Sequence, residues 1–143
     1  SGKFGFPFVG AYVASKHGLE GFSESLRREL MLYGIDVIIV APGAIATPIW
    51  DKAEQVDITK YANTDYVELA RRVQKYMVQS GKNGLPPEEV AEVVLRALTT
   101  PRPRVRYALA PGSFLSRLLP QIAPKRLVDR FVRRNLGLEP LDK

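Results

Sequence analysis

Residues 10–47, GAYVASKHGLEGFSESLRRELMLYGIDVIIVAPGAIAT, decide the fold. Leu19, Phe22, Leu26, Leu30 and Tyr33 recur at steps of three and four, with Glu20, Glu24, Arg27 and Arg28 mostly between them. That spacing predicts an amphipathic helix over residues 13–33. Gly34 is its predicted stop, since glycine accepts the left-handed conformation at a helix C-terminus. Residues 35–41, IDVIIVA, then form a nearly unbroken apolar and β-branched run. Such a run suits a strand covered on both faces, as in a parallel sheet. A Pro42-Gly43 turn closes it. Helix, buried strand and turn in this order predict a doubly wound α/β domain.

The head of that helix carries chemistry. Tyr12 and Lys16 stand four residues apart, so a phenol and an ammonium share one helix face about one turn apart. A cation held there favours phenolate, which makes the phenol an acid/base able to pass a proton to or from an alcohol oxygen. The turn Pro42-Gly-Ala-Ile-Ala-Thr47 follows the strand. It is expected at the carboxyl end of the sheet, where α/β folds bind ligands. Taken alone, it reads first as an ordinary strand-ending turn with Thr47 opening the next helix.

Residues 2–50 resemble the catalytic helix, next strand and cofactor turn of the short-chain dehydrogenase/reductase family. Tyr12 and Lys16 match its Tyr-x-x-x-Lys signature, and residues 42–47 its P-G-x-x-x-T segment. The resemblance implies a Rossmann-like sheet and NAD or NADP as cofactor. It implies that Tyr12 exchanges the proton with substrate, that Lys16 favours phenolate and hydrogen-bonds the nicotinamide ribose, and that Tyr12 and Lys16 are both cofactor-binding. Pro42, Gly43, the backbone of Ile45 and Thr47 would hold the nicotinamide carboxamide. Ser15 also matches, and reads as a packing residue or local cap. His17, the single histidine, faces elsewhere and is given no role.

Other family features are missing. The substrate-orienting serine falls ahead of Ser1, which would be its neighbour on the same loop. Gly2, Gly5 and Gly10 do not make a G-x-G-x-x-G phosphate loop, because no strand precedes them and their spacing is wrong. The residue that selects NAD over NADP and the proton-relay asparagine have no counterparts. Residues 1–143 are therefore expected to be the C-terminal part of one NAD(P)-binding domain, paired with an N-terminal half of the same fold. Only two strands are predicted, residues 35–41 and 105–109, and two strands do not make an independently stable sheet. Alone, the chain is expected to be inactive and poorly stable.

Between the strands, residues 47–85 read as a substrate lid, since so long an insertion is seldom a mere connector. Ile49, Trp50, Ala53 and Val56 follow a helix start at Thr47-Pro48. A second helix is predicted over residues 65–80 from Leu69, Val73 and Met77, with Thr64 or Asp65 as its N-cap and Gly81 as its stop. Trp50 and Tyr66 are the lid's candidate substrate contacts, though ordinary packing of two helices accounts for them equally. Residues 86–98 predict a crossover helix with proline first, glutamates in its first turn and Val90, Val94 and Leu98 as its apolar row. The Arg106-Tyr107 pair on the last strand is similar to retinol and hydroxysteroid dehydrogenases within the family. This implies a lipid-like secondary alcohol or ketone substrate.

Charge is uneven along the chain. Residues 101–143 hold ten Lys/Arg against three Asp/Glu, within a net charge of +6 for the whole. Residues 111–143 read as basic C-terminal helices, in which Arg117, Lys125, Arg126, Arg130, Arg133 and Arg134 alternate with Phe114, Leu115, Leu118, Leu119, Leu127, Val128, Phe131 and Val132. Pro120 and Pro124 mark the break between them. Such a tail packs on its own protein with a solvated basic face, lies on an anionic membrane or borders a substrate entrance. No nucleic-acid motif accompanies it, so a nucleic-acid partner is not expected. No apolar run reaches the roughly 20 residues of a membrane span. Location is left between the cytoplasm and a membrane surface.

The chain has no cysteine, which excludes disulfides and thiolate catalysis, and its one histidine argues against a metal site. An oligomer is expected, because residues 13–33 resemble the helix through which the family associates. The other reading is a non-catalytic remnant that binds a protein or membrane through its basic tail.

Overall fold

The structure is a computed structural model that describes residues 3–109 and 123–138. Its elements run α1 (Gly10–Leu30), a 3-10 turn (Met31–Tyr33), β1 (Ile39–Pro42), α2 (Ile49–Glu54) and a 3-10 turn (Thr59–Tyr61). After these come α3 (Val67–Lys82), α4 (Pro87–Thr99), β2 (Arg106–Leu109) and α5 (Lys125–Leu136). The fold is mixed α/β, with five α-helices and a two-stranded parallel sheet among the described residues. Ser1, Phe114, Leu115, Arg117, Leu118, Leu119 and Pro120, named above, lie outside those residues.

Helix α1 begins three residues before the predicted start and tightens over Met31–Tyr33. It ends where expected. Gly34 takes φ 65° and returns its amide to the Met31 carbonyl at 3.2 Å, while Ile35 returns to Leu30 at 3.2 Å. Both bonds satisfy last-turn carbonyls that would otherwise be orphaned.

The strand prediction needs correction. Residues 35–38 do not pair, and β1 holds only Ile39–Pro42. A strand extends only as far as its neighbour, and β2 offers four partners, from Ile39 opposite Arg106 to Pro42 opposite Leu109. Nor is the run covered on both faces. All four β1 residues are half-buried and Ile35 is 52% exposed, because β2 is the one strand beside β1 among the described residues.

The tightest packing lies elsewhere, around α3. Ala70, Val73 and Val78 on α3, Ala97 on α4 and Leu136 on α5 are the buried apolar residues described. Gly81, predicted as a helix stop, is instead inside α3 and buried. A Cβ there would fall within the Trp50 ring, so glycine is what lets α2 lie against α3. The helix stops two residues later at Asn83. Its N-cap is Tyr66, not Thr64 or Asp65; Thr64 contributes by accepting the Tyr66 amide through its hydroxyl at 3.2 Å.

Three polar devices fasten the helices around α3. The Gln74 amide group donates to the Ala53, Glu54 and Val56 carbonyls at 3.0, 3.2 and 2.9 Å, closing the end of α2. Lys82 reaches Glu54 at 2.6 Å and Asp51 at 3.4 Å. Arg72 donates to the Leu136 and Gly137 carbonyls at 3.3 and 3.0 Å, placing a cation at the negative end of α5.

Candidate active site

Tyr12 and Lys16 occupy the first two turns of α1, and the expected juxtaposition forms. The Lys16 Nζ stands over the Tyr12 ring, 5.4 Å from its centroid. A cation at that distance is attracted to the ring face and stays beside the phenol. Tyr12 is 54% exposed, so its hydroxyl is open to a reactant. Ser15 lies inside α1 and is not a cap; its hydroxyl donates back to the Tyr12 carbonyl at 2.7 Å. His17 sets its Nδ1 2.9 Å from the Val13 carbonyl, away from the pair.

The turn after β1 is held from two sides. Gly43 donates its amide to the Leu109 carbonyl at 2.5 Å. Ala46 donates to Leu85 and Leu85 to Ala44, each at 2.9 Å, in a single parallel bridge. Gly84 permits this approach: a Cβ there would lie 2.6 Å from the Ala44 carbonyl carbon. The Trp50 indole N–H donates to the Ile45 carbonyl at 2.7 Å. Among the turn's polar groups, the Ile45 amide N–H and the Thr47 hydroxyl have no partner among the described residues. Ile45 and Thr47 also border an open apolar cavity of about 530 Å³, shared with Val90, Val94, Leu95 and Leu98 of α4.

One ion pair relates these two groups. Arg106, at the start of β2, binds Glu20 of α1, and the two side chains are only 28% and 17% exposed. Sequence reading missed this link, because nothing local marks partners so far apart in the chain. It ties α1 to the start of β2. Tyr12 then lies about 12 Å from Glu20 toward the helix start. Gly43 lies about 13 Å beyond Ile39 along the strand. No hydrogen bond, ion pair or ring contact joins the Tyr12–Lys16 pair to the turn among the described residues.

Aromatic rings join residues 59–82 to the segment that precedes α1. Phe8, one turn ahead of Tyr12, meets Tyr61 and Tyr66 edge-on at 5.6 and 6.0 Å, and Phe6 stacks on Tyr76 at 5.5 Å. Phe8 has φ 64°, a left-handed conformation that costs a bulky residue about 1–3 kcal/mol. The 3-10 turn bearing Tyr61 is anchored by Asp57, whose carboxylate accepts the Thr59 amide at 2.7 Å. Hydrogen bonds from the Thr59 side chain and amide hold that carboxyl below its usual range. Of the two lid candidates, Tyr66 is 58% exposed with Phe8 against its ring, whereas Trp50 is engaged with Ile45 and Gly81. Among the described residues no cluster of metal-ligating side chains occurs.

The short chain dehydrogenase family matches residues 1–58, the stretch that holds Tyr12, Lys16 and the turn. An NADPH-dependent 3-dehydrocapnine reductase of Ornithobacterium rhinotracheale is 36% identical over 130 residues, 91% of this chain and 46% of the reductase. The chain belongs to the short-chain dehydrogenase/reductase family. An uncharacterized oxidoreductase of Bacillus subtilis, YusZ, is 32% identical over 138 residues, 95% of this chain and 49% of the relative. Estradiol 17-beta-dehydrogenase 1 of Rattus norvegicus is 35% identical over 108 residues, 74% of this chain and 31% of that enzyme. The chain thus spans about half the length of the first two relatives. No solved structure matches it.

Proposed function

We propose that this chain is the acid/base-bearing C-terminal part of a Rossmann-like, NAD(P)-dependent oxidoreductase that interconverts a secondary alcohol and a ketone. The observation that carries the reading is the Lys16 ammonium held over the Tyr12 ring at 5.4 Å. When bound, the nicotinamide cofactor supplies or accepts the hydride. The residues present fit such a group, because the open Ile45 N–H can donate to a carboxamide oxygen and the Thr47 hydroxyl can accept from its amide. Pro42 and Gly43 set that turn at the carboxyl end of β1. Tyr12 takes the proton from the substrate hydroxyl in oxidation and returns it to the carbonyl oxygen in reduction. Lys16 stabilises the phenolate between those events and is placed to bind a ribose hydroxyl.

Uncovered apolar surface supports pairing with an N-terminal half of the same fold. Phe22 on α1 and Leu98 on α4 are 64% and 76% exposed, and α1 has no buried residue. Layers that cover β1, α1 and α4 would complete the domain, with residues 47–85 as its lid and 111–143 as its basic end. A homo-oligomer formed through α1 fits the same exposed face. Tyr66 and Phe8 present apolar rings, and one relative is named for estradiol. Both favour a bulky lipid-like substrate.

The test joins this chain to the portion of the Ornithobacterium reductase that it does not cover, and measures NADH and NADPH binding and turnover. The chain alone is expected to bind neither cofactor at millimolar concentration, and the joined protein to bind and turn over. Tyr12→Phe is then expected to lower kcat by about 10²–10⁴-fold and leave cofactor affinity nearly unchanged. A Tyr12→Phe protein that keeps most of its activity would sink the assignment.

A further inference from the structure

Helix α5 divides its apolar residues between two destinations. Leu136 is buried and Val128 and Val132 are half-buried, on the side where Arg72 of α3 holds the helix end. Leu127 and Phe131, one turn apart, point elsewhere and are 53% and 69% exposed. Arg126, Arg130 and Arg134, each exposed, recur at steps of four along the row immediately beside them. The helix's one carboxylate, Asp129, lies outside both rows at helical spacing.

We propose that this outer face of α5 is a docking surface for anionic lipid headgroups. The helix lies flat on the membrane, Leu127 and Phe131 enter the headgroup–acyl boundary, and the three arginines meet lipid phosphates or carboxylates. Charge complementarity selects the partner, and the exposed apolar pair selects a lipid surface over other polyanions. A polyphosphate rewards the arginines and leaves Leu127 and Phe131 in water, whereas a bilayer interface takes both. The arrangement is a surface contact, since no described helix is long and apolar enough to cross a membrane. The inference stands apart from the oxidoreductase reading, because it uses no residue of that site.

Cosedimentation of the full chain with vesicles tests it. Vesicles of phosphatidylserine and phosphatidylcholine are expected to carry down the protein at physiological salt, and pure phosphatidylcholine vesicles are not. Each arginine contributes about fivefold near such a surface. Replacing all three by glutamine (Arg126→Gln, Arg130→Gln, Arg134→Gln) is therefore expected to weaken binding about a hundredfold. The pair Leu127→Ser and Phe131→Ser is expected to weaken it about tenfold with helix content unchanged by circular dichroism. Phe131→Trp supplies a second readout, its fluorescence being quenched by brominated acyl chains. Three results would each overturn the proposal: no binding to the anionic vesicles, equal binding by the serine pair, or tighter capture by duplex DNA that ignores Leu127 and Phe131.

Discussion

The region around α3 and the region around α1 are built on the same kind of sequence and finish in opposite states. Both helices are amphipathic. Around α3, Val73 and Val78 are buried, Gly81 admits the Trp50 ring, and Gln74, Lys82 and Arg72 fasten α2 and α5. On α1, no residue is buried, and Leu19 and Phe22 are 55% and 64% exposed. The region around α3 closes its own core. The helix that carries Tyr12 is left uncovered among the described residues, and the Glu20–Arg106 pair is its principal polar tie to the sheet there.

The largest effect is expected where the closed region is tightest. Gly81→Val drives a branched side chain into the Trp50 ring and should cost about 3 kcal/mol. Urea unfolding followed by fluorescence of Trp50, the single tryptophan, reads it directly. A paired truncation then sharpens the contrast. Val73→Ala on α3 should cost about 2 kcal/mol, because Val73 is 3% exposed. Phe22→Ser on α1 should stay within about 0.5 kcal/mol despite removing a larger apolar group. A comparable loss at both positions would break the comparison.

Glu20→Gln should follow, at about 1.5 kcal/mol, since it leaves a largely buried Arg106 without its charge partner. The loss should appear first in α1 amides. Smallest is the pH effect. Asp57 has a folded pKa held below 3.8 by the Thr59 hydrogen bonds, so its contribution is present above that value and lost as pH falls through the lower folded value. Lys82, raised above 10.5 chiefly by its bond to Glu54, contributes below that value and loses its contribution as pH rises through the folded one. Unfolding midpoints should therefore be flat at neutral pH and decline slightly at both extremes. Asp57→Asn should remove the acidic decline that belongs to this carboxyl.

Local features of the sequence were legible. The 3.6-residue spacing located α1, Gly34 stopped it, Pro87 opened α4, and the Tyr12–Lys16 spacing put cation and ring together. What stayed hidden depends on partners distant in the chain. The apolar run from residue 35 overstated β1 because strand length is set by β2, and Gly81 read as a stop because Trp50 lies far upstream. The roles of Gln74, Arg72 and Glu20 have no periodic signature, since each is fixed by a carbonyl or charge on another element. Phe8 was passed over because nothing beside it signals a left-handed phenylalanine between two tyrosines.

Amide hydrogen exchange on the full chain tests most directly whether the Tyr12–Lys16 pair sits on a helix that lacks its cover. Val67–Lys82 of α3 should be protected to the stability of the lid, and Gly10–Leu30 of α1 should exchange at least about a hundredfold faster. Protection of α1 equal to that of α3 would contradict the account. It would mean that the helix bearing Tyr12 and Lys16 is already fully packed within this chain.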